Sequence, residues 1–341
     1  MACHQRIALS KFFLYFSVCL SLCLSFTSCA SNSFDKILQP YFNRETPIST
    51  IGMWKSLLQM ERLEILVVDR GKHANSLTAV PIVLKNCATL RHLSLPCFSK
   101  LRNVSFPALC SLVCDHLYDG DVESAPSLQS LTCADVSRDV LSRLPVRLTS
   151  LTATCAGYPA PSINKILMIK RFPFLETLSL TLPFVMLPED FFSSFQQLVS
   201  VTLHFVVSRR ESEELPLMDA VLINMVQHNV GLREVDLRGV HVSDQWLHHL
   251  SQAPVIRYVS LTHCLASSIT TDGVIHLLRG RSRNNLRLVR LVTSDSLSAQ
   301  TIRQEIDLMH QENDSSVEVV LTPATNKLQQ MGITTRVSVF L

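Results

Sequence analysis

The sequence of 341 residues has little glycine and little charge, and both shortages exclude classes of function. Its nine glycines form no Gly-x-Gly pair, so neither a dinucleotide-binding fingerprint nor a P-loop is present. No His-Glu-x-x-His or Gly-x-Ser-x-Gly segment occurs, so common signs of zinc proteases and serine hydrolases are missing. We therefore expect a protein that is not an enzyme, with no catalytic residues, no metal ligands and no cofactor.

Charged residues make up only 17% of the chain, and the formal net charge is +3. This near-neutral balance gives no electrostatic reason to expect a nucleic-acid partner. The hydrophobic content of 47% is ample for a folded core and argues against disorder. The length would ordinarily indicate two or three domains, but a repeat protein is exempt because added length only adds repeats.

A phrase of the form leucine-x-x-leucine-x-leucine recurs along the chain. Good copies are Leu90 to Leu95, Leu175 to Leu180 and Leu232 to Leu237. Good and looser copies start at Leu63, Leu90, Leu109, Leu128, Leu148, Leu175, Leu198, Leu232, Ile256 and Leu286. Most steps lie within or near the roughly 20–29 residues typical of leucine-rich repeats. The spacing predicts a repeat array over residues 63–315, between an N-terminal cap at 31–62 and a C-terminal cap at 316–341.

Each phrase is typical of a short strand, because alternate side chains of a strand point to opposite faces. Positions one, four and six would face a shared core, and positions three, five and seven would face away. Buried residues would include Leu93, Leu95, Leu178, Leu180, Val235 and Leu237, and exposed ones Thr177, Ser179 and Asp236. The fold class that follows is an α/β leucine-rich-repeat solenoid with a single parallel concave sheet and a convex side of short helices and turns.

The segments between phrases differ in length, and the length predicts what covers the core. Short steps have no room for a full helix, so the chain from Leu90 to Leu148 should return through turns or a short 3₁₀ segment. Longer steps can hold a helix, and we predict one from Met218 to Val226. Ser243, Thr271 and Ser298 each stand before a further apolar face, as N-caps would.

The stretch from Ile256 to Leu278 resembles the cysteine-containing repeat of F-box/leucine-rich-repeat proteins. Cys264 lies where that family places its cysteine, and residues 269–274 resemble the start of its helix. A weaker second copy runs from Leu232 to Leu250. The resemblance implies the part of such a receptor that recognises a protein substrate. We find no F-box ahead of the repeats, and Leu187 to Phe192, which is similar to an F-box opening, lies inside the array and is interpreted as coincidence.

Residues 1–30 have the order of a secretory signal peptide. A modestly basic start is followed by the uncharged apolar run from Phe12 to Leu24, and small residues at Ser28 and Ala30 suit cleavage after Ala30. The run is short for a transmembrane helix, so we expect no stable membrane span beyond this segment. An uncleaved signal anchor, a buried cap helix and a gene-annotation error are the alternatives.

Cysteine usage favours a different compartment. Four of the eleven cysteines precede Ser31, and the remaining seven are an odd number, which does not suit an oxidised framework. Cys114 and Cys133 occupy position six of their phrases, where a reduced cysteine behaves as a small hydrophobe. Sequons at Asn103 and Asn313 arise easily by chance. The signal segment predicts the secretory pathway or the extracellular space, and the repeats leave the cytoplasm as the alternative.

Two clusters contain residue types that bind metals. In Cys110-x3-Cys114-x-His116, Cys114 should face the core while Cys110 lies near the start of the strand. His248 and His249 are adjacent on a predicted helix, where neighbouring side chains diverge by about 100°. We interpret both clusters as ordinary core and surface residues.

The outward strand positions change character along the chain. From Leu90 to Leu198 they are mostly serine and threonine, which suit a crowded, solvent-facing sheet. The later phrases present charge and an aromatic ring at Glu234, Asp236, Arg238, Tyr258 and Arg290. Aromatic and arginine side chains dominate binding hot spots, so these five residues are the predicted partner-binding site. The partner would be a protein, with no nucleic acid and no small-molecule cofactor.

A basic cluster near the C-terminal end consists of Arg279, Arg281, Arg283, Arg287 and Arg290. It suits either a docking point for an anion or a solvated loop beside a strand face. No aromatic residues interleave with these arginines, which disfavours nucleic acid further. The solvated loop is the simpler interpretation.

Overall fold

The computed structural model describes the repeat array and leaves both ends of the chain aside. The described residues are 64–67, 88–95, 105–117, 125–155, 166–183, 187–206, 218–262, 269–281, 283–293, 298–312 and 317–323. The expected signal segment at 1–30, the expected N-terminal cap at 31–62, both sequons and Cys264 lie outside them.

Within these residues, eleven parallel strands form one sheet in chain order. The strands are β1 Ile65–Val67, β2 His92–Leu95, β3 Ser111–Leu117, β4 Ser130–Val136, β5 Ser150–Thr154, β6 Thr177–Pro183, β7 Ser200–Val206, β8 Glu234–Arg238, β9 Tyr258–Thr262, β10 Leu288–Thr293 and β11 Glu318–Pro323. In each of the ten predicted phrases the strand begins at the third residue. In the phrase that starts at Leu90, for example, β2 begins at His92. The prediction of a leucine-rich-repeat solenoid is confirmed.

The eleventh strand, β11, has no counterpart among the ten phrases. It pairs in parallel with β10 and lies in the segment that the sequence assigned to the C-terminal cap. Its phrase begins with Ser316 instead of leucine, so the leucine pattern does not reveal it. Val319 at position four is nevertheless buried like its equivalents in the other strands.

The core lies between the sheet and the segments that connect its strands. The residues at position four are buried in all eleven described strands: Leu66, Leu93, Leu112, Leu131, Leu151, Leu178, Val201, Val235, Val259, Val289 and Val319. One contiguous cluster therefore runs the length of the array, because each repeat supplies the neighbour's cover.

The predicted register is confirmed on the core side and needs correction on the outer side. Of the residues expected to be buried, Leu93, Leu178, Leu180, Val235 and Leu237 are all buried, while the side chain of Leu95 lies outside the described set. The residues expected to be exposed, Thr177, Ser179 and Asp236, face away from the core but are half-buried. Strands only about 4.8 Å apart cover part of each other's outward side chains.

In the first half of the array the described parts of the connections contain only short helical segments. The expected turns between Leu90 and Leu148 include one short α-helix, α1 Arg138–Arg143, which the prediction omitted. The side chain of its N-cap, Ser137, accepts a hydrogen bond from the Val140 N–H at 3.2 Å. Two 3₁₀ helices, Met168–Arg171 and Phe191–Ser194, follow in the next two connections.

The segment that is similar to an F-box opening forms part of this core. Phe191, Phe192 and Phe195 are fully buried and meet edge to face, with ring centroids 5.0 to 6.2 Å apart. Aromatic pairs prefer this edge-to-face geometry because a positive ring edge meets a negative ring face. These rings serve to pack the connection between β6 and β7.

In the second half every connection holds an α-helix. These helices are α2 Asp219–His228, α3 Asp244–Ser251, α4 Thr271–Leu278 and α5 Ala299–Glu312. The side chains of Ser243 and Ser298 accept hydrogen bonds from backbone N–H groups of the helices that follow, as predicted for N-caps. The cap of α4 is Thr270, one residue before the predicted Thr271. Helices pack about 8–10 Å apart and strands about 4.8 Å apart, so the stack curves with the sheet on its concave side.

The four helices are joined at their N-termini by a chain of hydrogen bonds. In each case the first residue of one helix holds the N-cap of the next. Asp219 accepts the Ser243 N–H at 3.0 Å, Asp244 accepts the Thr270 N–H at 2.8 Å, and Thr271 accepts the Ser298 N–H at 2.9 Å. These bonds fix the axial position of each helix against its neighbour.

Candidate binding surface

The candidate surface is the face of the sheet opposite the core, which carries positions three, five and seven of each phrase. We call it the open face. Because the strands pair in parallel register, equivalent positions of successive phrases lie side by side. Position three runs through Thr177, Ser200, Glu234, Tyr258 and Leu288 in adjacent strands. The surface is therefore read across the strands, in rows spaced by about 4.8 Å.

From β3 to β7 most of the outward side chains at positions three, five and seven are serine or threonine. The position-three row consists of Ser111, Ser130, Ser150, Thr177 and Ser200, all half-buried. Hydroxyl groups both donate and accept hydrogen bonds but carry no charge. This part of the face can take up water or a polar partner, and it provides little that would select one partner.

The predicted site residues lie on the C-terminal part of the open face. We call Glu234, Asp236, Arg238, Tyr258 and Arg290 the C-terminal patch. Glu234 pairs in register with Tyr258 on the next strand, and its Oε2 accepts a hydrogen bond from Ser200 Oγ at 3.0 Å. Tyr258 is half-buried, so its ring contributes both to the sheet and to the surface.

Asp236 and Arg238 form an ion pair within β8. Arg238 Nη2 donates to Asp236 Oδ2 at 2.9 Å, with side chains that are 48% and 15% exposed respectively. That hydrogen bond and the attraction to the Asp236 carboxylate raise the pKa of Arg238, while partial burial acts against them. The guanidinium therefore stays charged and is held in place across the open face.

The other carboxylate oxygen of Asp236 is buried, and it has no hydrogen-bond partner among the described residues. Buried polar atoms are usually hydrogen-bonded, so this acceptor stands out in the patch. The arrangement presents a paired cation outward and an acceptor oxygen beneath it.

Arg290 lies at the far end of the patch. It shares position five with Asp236, but the buried Ser260 of β9 stands between them. Two strand spacings separate the two residues by roughly 10 Å. The structure thus brings four of the predicted residues together on β8 and β9 and leaves Arg290 one strand further on.

The cysteine cluster of β3 diverges as expected from its positions. Cys114 is buried, with its Sγ 3.7 Å from that of Cys133, whereas the Cys110 thiol donates to the Ala108 carbonyl at 3.3 Å. His116 is exposed. In the described part of the chain, no three histidine, cysteine or acidic side chains gather into a group that could hold a metal ion.

The histidine pair of α3 lies beside a third histidine, on the next helix. His248 is exposed, and its ring centroid lies 4.3 Å from that of His276 on α4. The sequence could not indicate this contact, because it depends on how the two helices pack.

None of the helices described here combines the length and apolarity that crossing a bilayer requires.

Sequence reasoning missed one row of residues, because it grouped Arg287 with the arginines near it in sequence and did not compare position two of successive phrases. Position two carries arginine in three successive phrases, at Arg233, Arg257 and Arg287, and all three are exposed. An alignment of the ten phrases would have revealed the row. It lies at the N-terminal edge of the strands, next to the C-terminal patch.

Comparisons with known proteins find likeness in shape only. No family model and no curated protein matches the sequence. Human trophoblast glycoprotein (Wnt-activated inhibitory factor 1) is similar with 19% identity and a TM-score of 0.37, over 59% of this chain and 81% of that one. A leucine-rich-repeat protein of Leptospira interrogans is similar with 13% identity and a TM-score of 0.43, over 78% of this chain and 68% of that one. At these values the likenesses do not indicate what the present chain binds.

Proposed function

We propose that this chain is a non-catalytic protein-recognition solenoid that binds its partner on the C-terminal patch. The observation that carries the proposal is the register of β8 and β9, which lays Tyr258 beside Glu234 and next to the Asp236–Arg238 pair. An aromatic ring flanked by oriented charges combines apolar contact area with control of partner orientation. Interfaces concentrate their energy in such residues.

The chemistry of the patch suits binding better than catalysis. Both of its carboxylates already accept hydrogen bonds, Glu234 from Ser200 and Asp236 from Arg238. A general acid or base needs a proton-transfer partner within hydrogen-bond reach of a reacting group. Engaged carboxylates on a regular sheet instead present a fixed pattern of charge to a second surface.

We further propose that the partner is bound in the manner of F-box/leucine-rich-repeat substrate receptors. The stretch from Ile256 to Leu278 resembles the cysteine-containing repeat of those receptors. The helix that this resemblance implies corresponds to α4, whose N-cap Thr270 accepts the Gly273 N–H at 3.3 Å. On this reading the chain supplies recognition and another module supplies the ligase.

The second candidate function is that of a secreted or surface-exposed ligand-binding repeat protein. The observation that favours it is the order of basic, apolar and small residues in residues 1–30. Both candidates use the same open face, and they differ in the compartment in which the partner is met.

The recognition site is tested by identifying a partner through proximity labelling and then measuring its affinity for purified variants. We expect Tyr258→Ala and Arg238→Glu each to weaken binding by about tenfold or more, the order expected for hot-spot residues. Arg238→Glu would place a second carboxylate beside Asp236 and reverse the charge that faces the partner.

The matched controls are Ser130→Ala and Thr152→Ala, on the hydroxyl part of the same face. They should leave both affinity and melting temperature unchanged. Equal affinity for all four variants, with every variant folded, would place the binding site elsewhere on the molecule.

A further inference from the structure

The exposed arginines at position two form a continuous row across three strands. The Arg257 N–H donates to the Arg233 carbonyl, and the Arg287 N–H donates to the Arg257 carbonyl, both at 2.8 Å. The three residues therefore lie one above the next, about 4.8 Å apart along the edge of the sheet. The whole row spans roughly 10 Å, close to the Debye length of about 8 Å in physiological salt, so the fields of the three cations add.

The loop between α4 and β10 brings two more arginines to the same edge. Arg281 and Arg283 are both exposed. The Arg281 N–H donates to the Ser251 carbonyl at 2.7 Å, and the side chain of Asn285 donates to the Pro254 carbonyl at 3.0 Å. The loop is thus tied to the preceding repeat. We call Arg233, Arg257, Arg281, Arg283 and Arg287 the arginine edge.

The segments that build the arginine edge carry no acidic residue of their own, although Glu234 of the C-terminal patch directly follows Arg233. The described turns and phrase starts that build it, residues 229–233, 253–257, 279–281 and 283–287, contain no aspartate or glutamate. Arg279 in the same loop is already paired with Glu305, and no ion pair joins any of the five to a described acidic group. Five arginines without an ion-pair partner among the described residues thus stand together on a chain whose formal net charge is only +3.

We infer that the arginine edge binds a carboxylate-rich segment of the protein partner. This inference rests on the proposed function, because the edge adjoins the C-terminal patch: Glu234 follows Arg233, and Tyr258 follows Arg257. A protein seated on the patch would extend over the edge. The guanidinium group binds carboxylates through two parallel hydrogen bonds, which a row of arginines offers repeatedly.

An acidic peptide fits the edge better than a single-stranded nucleic acid does. The residues that build the edge include no phenylalanine, tyrosine or tryptophan, and Tyr258, which follows Arg257, is a single half-buried ring. Single-stranded nucleic acids are bound by stacking their bases on such rings beside a basic groove. Carboxylates on one side of an acidic helix lie about 5–6 Å apart, close to the spacing of the arginine row.

The test measures the affinity of the full chain for a fluorescein-labelled oligoglutamate peptide by fluorescence anisotropy. We expect binding that weakens as salt is raised. The triple variant Arg233→Glu, Arg257→Glu, Arg287→Glu should lose at least about tenfold in affinity. A matched triple with glutamine in place of glutamate should also lose affinity, and it keeps the test usable if the charge reversal disturbs folding.

Three controls separate the possible outcomes. The triple Arg138→Glu, Arg147→Glu, Arg303→Glu changes the net charge equally at exposed arginines elsewhere and should keep the peptide bound. Tyr258→Ala should also keep it, so a failure of the C-terminal patch is distinguishable from a failure of the edge. Equal loss in both triples, or tighter binding of a single-stranded oligonucleotide, a heparin fragment or phosphatidylserine vesicles than of the peptide, would overturn the inference.

Discussion

At the residue scale, two glycines next to repeat boundaries differ in what surrounds them. A Cβ added at Gly280 would lie 2.3 Å from the Ser251 carbonyl oxygen and 2.8 Å from the Ser251 Cα. These are backbone atoms at the end of α3, so they cannot rotate away. A Cβ added at Gly231 would meet nothing within 4 Å. Close approach of successive repeats therefore requires glycine at residue 280, whereas residue 231 has room for a larger side chain.

We expect Gly280→Ala to destabilise the fold by about 1–3 kcal/mol, the range for overpacking a tight contact. Gly231→Ala, the control, should be neutral or stabilise by about 0.4–1 kcal/mol because alanine restricts the unfolded chain. Urea denaturation of both variants measures the difference. Equal stability of the two variants would mean that α3 and α4 shift apart without loss, contrary to the packing described.

At the scale of elements, helix α5 differs from its neighbours in one core position. Its seventh residue is Glu305, whereas the seventh residues of α3 and α4 are the fully buried Leu250 and Leu277. Glu305 is itself mostly buried and accepts two hydrogen bonds from Arg279, at the C-terminus of α4. An ion pair here replaces an apolar contact between successive helices.

We expect Arg279→Ala to destabilise the protein by about 1–3 kcal/mol, because it leaves the buried Glu305 carboxylate without its partner. Glu305→Leu should be neutral or stabilising, since an apolar residue of suitable size often replaces a buried ion pair without loss. Thermal melts of the two variants distinguish these outcomes, with the exposed Arg281→Ala as control. If Glu305→Leu proved as harmful as Arg279→Ala, the pair itself would be a net source of stability.

At the scale of the whole molecule, the array is one core with two kinds of outer layer. Among the described residues, 3₁₀ helices lie in the connections from β5 to β7, and α-helices lie in those from β7 to β11. Step length alone does not set this difference, because the 24-residue step from Leu232 to Ile256 holds α3, whereas the 27-residue step from Leu148 to Leu175 ends in a 3₁₀ helix. Since each repeat contacts its neighbours alone, the two halves share one continuous core despite this difference.

The compartment of the whole chain is tested at its N-terminus. If the secreted alternative holds, mass spectrometry of the chain expressed in a eukaryotic host should find a mature protein that begins at Ser31. Leu20→Arg, which places a charge in the apolar run, should prevent the cleavage. An intact peptide containing Phe12 to Leu24, together with unglycosylated Asn103, would instead place the protein in the cytosol and favour the F-box-like reading.

The sequence by itself determined the architecture of this protein. The leucine phrase sets a period of two within each strand and a step between strands, and these two periods leave a stacked parallel sheet as the way to bury every leucine. N-cap residues such as Ser243 could be read directly because capping depends on a few neighbouring residues. Strand β11 was not predicted because its phrase lacks the leading leucine. The predicted cap of α4 was wrong by one residue because Thr270 and Thr271 can both accept a backbone N–H.

Only the tertiary structure decided which side chains act together. The hydrogen bond from Ser200 to Glu234 and the row of arginines both depend on register between strands that are 24 to 34 residues apart in sequence. Partial burial of the outward positions likewise comes from neighbouring strands, which periodicity within one strand cannot represent. Local sequence fixes each element through short-range sterics and patterning, whereas a surface is assembled from residues whose proximity exists only once the repeats have stacked.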